Sequence, residues 1–308
     1  MKPTPKSAAQ KSRTLAYIAL IVVDFIAAGT FLVAKQTTTR FTPMELGWFR
    51  ITLSFILIIP LFLFKNRGKA KPIPKGRDLL ILMVMGLAGV TANQLLFLHG
   101  IHLAPPIDGA LLYSFTPVVV LIGARLFLGE SLTWGKAAGI AAAIFGVYLV
   151  LRTRGLDLST AYLRGDLIMT MAVVAWAVYT LLGKQLMKRY DAMTANLWAF
   201  GFGALSLLPA APWILGNFNW SGPGIGGWTG LVYLSLMTSV ISFTLWTWAL
   251  KSLDAVQVAI FANLQPPLTA LLAWLIFSEI PTWEVVVGGT LVIVGVTLAQ
   301  LRYSKVKA

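Results

Sequence analysis

Apolar residues in this chain do not alternate with polar ones. They come in runs of about twenty, parted by short stretches rich in Lys, Arg, Gly and Pro. Wound as a helix, a run of that length matches the hydrocarbon thickness of a bilayer. The runs fall at about 15–34, 44–64, 78–99, 106–128, 133–151, 163–185, 193–215, 228–250, 254–277 and 282–301. The pattern predicts an all-α membrane protein of ten transmembrane helices, with polar tails at 1–14 and 302–308. The Pro- and Gly-rich stretch from Pro209 to Gly230 reads as a helix end with a loop or as a re-entrant segment.

The pattern repeats. A shift of 149 residues, without a gap, lays Lys35, Gln36 and Arg40 on Lys184, Gln185 and Arg189. It also lays Pro60 on Pro209, Pro117 on Pro266, and Glu130, Thr133 and Trp134 on Glu279, Thr282 and Trp283. Gly139 and Gly146 fall on Gly288 and Gly295. Apolar coincidences are common in such a chain, but Lys-Gln, Pro and Glu-x-x-Thr-Trp in one register are not. The chain therefore divides at about 15–154 and 155–301 into two sets of five spans. Five is odd, so the second set enters the membrane inverted, which is the plan of many secondary transporters.

Composition narrows the class. Charged residues make up 12% of the 308 positions and apolar ones 57%, against roughly a quarter charged in soluble domains. The excess apolar surface must face lipid. There is no cysteine, so thiol chemistry is excluded. His99 and His102 are the only histidines, too few for most histidine metal sites; neither a metal nor a cofactor is expected. The net charge of +14 lies in the segments between runs, which argues against a nucleic-acid partner and for loops. With the N-terminus inside, only Lys35, Arg40, Arg152, Arg154 and Arg164 fall in outer loops, and Arg50 lies in a span. The rest are inside, so both termini are expected in the cytoplasm. The first apolar run lacks a small-residue cleavage site and reads as a retained helix.

The ordered motifs resemble the drug/metabolite transporter superfamily, in particular its bacterial EamA-type ten-helix exporters, over about residues 15–301. The resemblance rests on Phe31-x-x-x-Lys35, Glu45 to Arg50, Asn93-Gln94-x-x-Phe97 with Gly100, Pro117, and Leu128-Gly129-Glu130-Ser131-Leu132 followed by Gly139 to Gly146. The second half echoes it with Pro266, Glu279 and Gly288 to Gly295. Such families often carry a Trp eight residues before the Lys of the first span. That place is Ala27 here, and its second-half counterpart is Trp176. The resemblance implies a proton-linked or exchange carrier in a bacterial inner membrane. Its cargo would be metabolites such as amino acids, nucleosides or amphipathic and cationic compounds.

Asp24 is the sharpest single signal. It lies about 15 Å into its span at 1.5 Å per residue, where a carboxylate is costly unless paired, hydrated or protonated. It is the candidate proton-coupling acid, or a counter-ion for a cationic substrate group. The structural alternative caps it with hydroxyls or pairs it with Arg50. The resemblance favours a structural role for Arg50, capping carbonyls freed near Pro105 and Pro106 or pairing with Glu45 or Asp108; the alternative is that it binds a substrate carboxylate. Pro117 and Pro266 lie mid-span and free the carbonyls of Tyr113 and Ala262. Ser114 and Thr116, and Asn263 and Gln265, flank these kinks as candidate cavity residues; a simple bend is the alternative. Of Asn93 and Gln94, one is expected to face the cavity and the other to bridge helices. Trp176 and Tyr179 share a helix face and, with Tyr113, Trp246 and Trp248, are candidates for an aromatic wall. Trp134, Trp213, Trp220, Trp228 and Trp283 read as interfacial belt residues. Glu130 and Glu279 read as helix-start residues. The glycine stripes pack the fifth span on the tenth, or else form a homodimer face.

The leading reading is a secondary transporter, an exporter of small molecules. No Gly-x-x-x-x-Gly-Lys-Ser/Thr loop is present to hold ATP. A membrane enzyme acting on lipid-linked substrates would want paired carboxylates or a Ser/His set; Asp24 with His99 is the only sketch of one. A non-transporting membrane subunit is the third reading.

Overall fold

The computed structural model describes residues 5–67, 73–104, 106–130, 133–152, 160–277 and 283–304. Glu279, Pro105 and the side chain of Asp108 lie outside the described residues. The described residues form ten helical rods and no strand. The first five are Pro5–Thr37, Pro43–Lys65, Arg77–Leu103, a broken rod of Pro106–Tyr113 and Thr116–Leu128, and Trp134–Arg152. The second five are Thr160–Leu186, Ala192–Asn217, Gly224–Ala249, a rod that starts at Ala255–Ala259 and resumes at Gln265–Phe277, and Trp283–Ser304. Six of them, the first to third and the sixth to eighth, are long and apolar enough to cross a bilayer. The Pro209 region resolves as a 3₁₀ turn, Leu208–Ala210, inside the seventh rod. It is a helix end with a loop, not a re-entrant segment.

The same irregularities recur 149 residues apart. The third rod contains a π-helical stretch at Gly86–Ala92, and the eighth one at Leu234–Ser242. The fourth rod breaks at Ser114 and Phe115, just before Pro117. The ninth tightens to 3₁₀ over Ile260–Leu264, just before Pro266. Proline has no N–H to give and its ring crowds the preceding turn, so the helix loosens there in both halves.

Lysines close two rods in the same register. Lys35 Nζ donates to the carbonyls of Ile101 and Ala104, each at 3.0 Å, and to that of His102. Lys184 Nζ donates to the carbonyls of Leu250 and Leu253, at 2.9 and 2.6 Å. Helix C-terminal carbonyls lack intrahelical donors, and a cation supplies them. The carbonyls near Pro105 are thus taken by Lys35, not by Arg50.

The fifth and tenth rods pack on each other through the glycines. A methyl at Gly146 would sit 2.5 Å from the Gly288 carbonyl oxygen, and one at Gly295 would sit 2.6 Å from that of Gly139. These glycines serve contact within the chain, so they are not free to form a dimer face. Of the belt tryptophans, Trp134, Trp213, Trp220 and Trp283 are exposed. Trp228 instead packs edge-on to Phe41 at 5.5 Å.

Glu130 corrects its sequence reading. Its carboxylate accepts the N–H of Ala255, at the start of the ninth rod, at 2.9 Å. It therefore caps a helix of the opposite half, not its own. Lys136 is almost wholly buried beside it, 3.7 Å from Glu130 and 3.5 Å from Asp254.

Candidate functional site

Between the halves lies a cavity of about 90 Å³. A water needs roughly 10–15 Å³ on this measure, so the space suits a solute of roughly six to nine heavy atoms. The first half gives it Ala27, Asn93 and Phe97; the second gives Trp176, Ser242 and Trp246. These are three pairs in the 149-residue register, so the cavity sits where the halves meet. The π stretches end at Ala92, just before Asn93, and at Ser242. An added residue per turn rotates the side chains that follow, which turns Asn93, Phe243 and Trp246 toward the cavity.

The wall is mostly aromatic. Phe31, Phe97 and Tyr113 meet edge-on at 5.7–5.9 Å on one side. Trp176, Phe243 and Trp246 cluster at 4.8–5.3 Å on the other. Tyr179 is not in the lining; it stacks behind Trp176 at 5.0 Å. Its hydroxyl donates to Asn196 Oδ1 at 2.5 Å and bonds Thr247 at 2.9 Å. It braces the wall instead of forming it.

Polar groups break the apolar lining: Thr30, Thr238 and Ser242 carry hydroxyls there, Thr30 and Thr238 bonded to each other at 2.8 Å, and Arg50, Asn93 and Gln265 carry the larger polar heads. Arg50 is buried, and its Nε donates to Ser239 Oγ at 2.9 Å. Its Nη1 is buried without a hydrogen-bond partner among the described residues. Glu45 is occupied elsewhere, closing a capping box with Thr42. Asn93 donates from Nδ2 to the Tyr113 hydroxyl at 3.0 Å and to the Ala172 carbonyl at 2.8 Å. Gln265 lines the cavity, and its Nε2 donates to Asp24 Oδ1 at 3.4 Å.

Asp24 itself lies one layer back. It is fully buried, its neighbour Val23 lines the cavity, and its Oδ2 has no hydrogen-bond partner among the described residues. It pairs with neither Arg50 nor a hydroxyl among the described contacts. Ser114 is buried at the break of the fourth rod, outside the lining. Asn263 is buried outside the lining too, with both side-chain polar atoms unpartnered. Pro117 and Pro266 are not in the lining, while Gln265, beside Pro266, is. Gln94 and Trp248 are absent from it. His99 bonds the carbonyl of Leu95 in its own helix, so Asp24 and His99 are not brought together. Val23, Thr30, Phe31, Thr238 and Phe243 line the cavity without having been singled out as its residues. Ser and Thr on the π stretch of the eighth rod were the available signal.

Two copies of one family model, described as the EamA-like transporter family, match residues 14–152 and 163–301. Both their starts and their ends lie 149 residues apart, the shift read from the sequence and from the lysine caps. The chain belongs to the EamA-like transporter family. It is thus a multi-pass membrane transporter of small molecules, built as two inverted five-helix repeats. An uncharacterized transporter of Archaeoglobus fulgidus is 31% identical over 93% of this chain and 97% of its own length. The uncharacterized transporter YyaM of Bacillus subtilis is 27% identical over 92% and 93%. A protein of Streptantibioticus cattleyicolor named "probable terminal-alkyne amino-acid exporter" is 31% identical over 74% of this chain and 75% of its own. A solved crystal structure, 19% identical, matches the fold with a TM-score of 0.74 over 97% of this chain and 99% of that one.

Proposed function

We propose that this transporter is a secondary carrier that exports small amphipathic zwitterions of the amino-acid class by alternating access. The observation that carries the reading is a small, mostly aromatic cavity between the repeats whose lining includes both Arg50 and Gln265. Arg50 offers a guanidinium with an unpartnered Nη1, which suits a carboxylate. Gln265 also lines the cavity and is hydrogen-bonded to the Asp24 carboxylate behind it, which suits an ammonium group. The aromatic faces of the same lining accept an apolar side chain or a cation. The volume favours amino acids over nucleosides or bulky drugs. The named function of the Streptantibioticus relative points to the same class. Asp24 is the proton-coupling residue of this carrier. Both termini lie in the cytoplasm of a bacterial cell whose inner membrane holds the protein, as the distribution of Lys and Arg favours.

Purified protein in liposomes, preloaded with unlabelled leucine, should accumulate labelled leucine by exchange. Unlabelled isoleucine and methionine should compete, and nucleosides should not. Absence of exchange with every neutral amino acid would end the amino-acid reading.

A further inference from the structure

We propose that Gln265 is the ammonium-selecting residue and that Asp24 sets which end of its amide faces the cavity, so that proton and substrate compete for one carbonyl oxygen. The inference rests on the amino-acid reading above. It starts from a geometric fact: Asp24 does not line the cavity, but Gln265 does, and the two are hydrogen-bonded. Whatever Asp24 does to a substrate in this cavity, it does through Gln265.

The amide has two different ends. An ionised Asp24 accepts only, so it takes an N–H from Gln265, as the structure has it. The Gln265 carbonyl is then left for the cavity, where it accepts from a substrate ammonium. A protonated Asp24 is both donor and acceptor. It forms the two-point pair of a carboxylic acid with an amide: the acid O–H donates to the amide carbonyl and the amide N–H to the acid carbonyl. The proton has a place to arrive, because Asp24 Oδ2 has no hydrogen-bond partner among the described residues. The Gln265 carbonyl is now occupied, and the amide turns its remaining N–H to the cavity, which repels an ammonium group. Binding of one cation therefore expels the other. By linkage, each weakens the other by the same factor, which is the requirement for proton–substrate antiport.

Among the described residues, the titratable side chains on the elements packed around the pair are few. Arg50 of the second rod and Tyr113 of the fourth face the same cavity. Tyr233 of the eighth rod donates to the Ile26 carbonyl of the first at 2.8 Å. On the third rod, His99 is bound to Leu95, and His102 stands near its C-terminal end. The segments Phe243–Ala249 and Gln265–Phe277, which also pack on the first rod, carry no ionisable side chain. Arg50 stays charged throughout.

The test uses leucine and 4-methylpentanoate, which is leucine without its ammonium group, in exchange at equal pH on both sides of the liposome. In the wild type, leucine exchange should weaken as pH falls, and 4-methylpentanoate exchange should not weaken with it. Gln265→Met should lower leucine exchange about tenfold or more, the worth of a hydrogen bond to a charged group, and remove its pH dependence. It should spare 4-methylpentanoate, which also reports that the variant is folded. Asp24→Asn is the second arm: it cannot titrate, so leucine exchange should become independent of pH while 4-methylpentanoate is unchanged. If leucine keeps the wild-type pH profile in either variant, the relay is wrong and the amino-acid reading stands. If the wild type exchanges no amino acid, the underlying reading fails, and the relay with it.

Discussion

The two repeats share a scaffold and divide the chemistry. Lys35 and Lys184 bind carbonyls in the same register, and the π stretches and helix breaks coincide after a shift of 149 residues. At the cavity the correspondence stops. Asp24 and Arg50 have Val173 and Ala199 as their counterparts, while Ala27 stands opposite Trp176. The first repeat brings both charged groups, and the second brings both tryptophans of the lining. Symmetry is kept where the two halves must exchange shapes at similar energy, and lost where one asymmetric solute must be held. This division predicts that paired substitutions in the scaffold have equal effects and that those at the cavity do not.

The largest inequality should appear at Arg50. Arg50→Met removes the cation facing a substrate carboxylate, and transport of leucine and of 4-methylpentanoate should fall about 100-fold, the scale of a lost buried charge pair. Its repeat mate Ala199 faces no such demand, and Ala199→Ser should leave transport within about twofold, as a modest change away from the charge. Stability separates binding from structure. A buried cation with one unpartnered nitrogen costs free energy, so Arg50→Met should not lower the melting temperature. A fall in melting temperature that parallels the loss of transport would make Arg50 a structural residue.

The repeat was legible because polar landmarks survive within apolar runs. Lys35 and Lys184 were visible as a pair, although their carbonyl partners, some 66 residues further on, were not. The cavity was half legible. Asn93, Tyr113, Trp176, Trp246 and Gln265 stood out as polar or aromatic groups at membrane depth, and they do line it. Tyr179 and Asp24 stood out equally and lie behind the wall, because one helix face is about 100° from the next residue's and sequence does not fix the rotation. Phe243 and Ser242 were hidden for a related reason, since the π stretch that ends at Ser242 shifts the phase. Lys136 was indistinguishable from a loop lysine. Its burial depends on Asp254, which lies in the other repeat.

Equality can be tested on the glycines. Gly146→Ala and Gly295→Ala place a methyl at equivalent points of one interface, 2.5 and 2.6 Å from carbonyl oxygens. The fifth and tenth rods must part, at a cost of about 1–3 kcal/mol each. The two variants should lose thermal stability by the same amount and should bind leucine with unchanged selectivity. A clear difference between them would mean that the interface is not related by the repeat.

The smallest effect concerns two helix caps in that register. Thr42 opens the second rod with a capping box to Glu45, and Asp191 opens the seventh, accepting the N–H groups of Met193 and Thr194 at 3.0 and 3.2 Å. The place is the same and the chemistry differs. Burial disfavours the charge on Asp191, but bonds from Thr194 and Lys65 outweigh it and hold the carboxyl below its ordinary value. A carboxyl with a lowered folded-state value contributes its stability above about pH 4, the unfolded value, and loses it as pH falls through the folded one. The Lys65–Asp191 pair is half exposed, so screening keeps the whole effect under about 1 kcal/mol. Asp191→Asn should therefore melt slightly below the wild type at pH 7, and the gap should close in acid. Thr42→Val removes a cap whose hydroxyl does not titrate, and Glu45 remains in both proteins, so its gap should persist at the low pH where that of Asp191→Asn has closed. If both gaps closed together, the acid sensitivity would lie elsewhere in the molecule and not in the cap that the second repeat has changed.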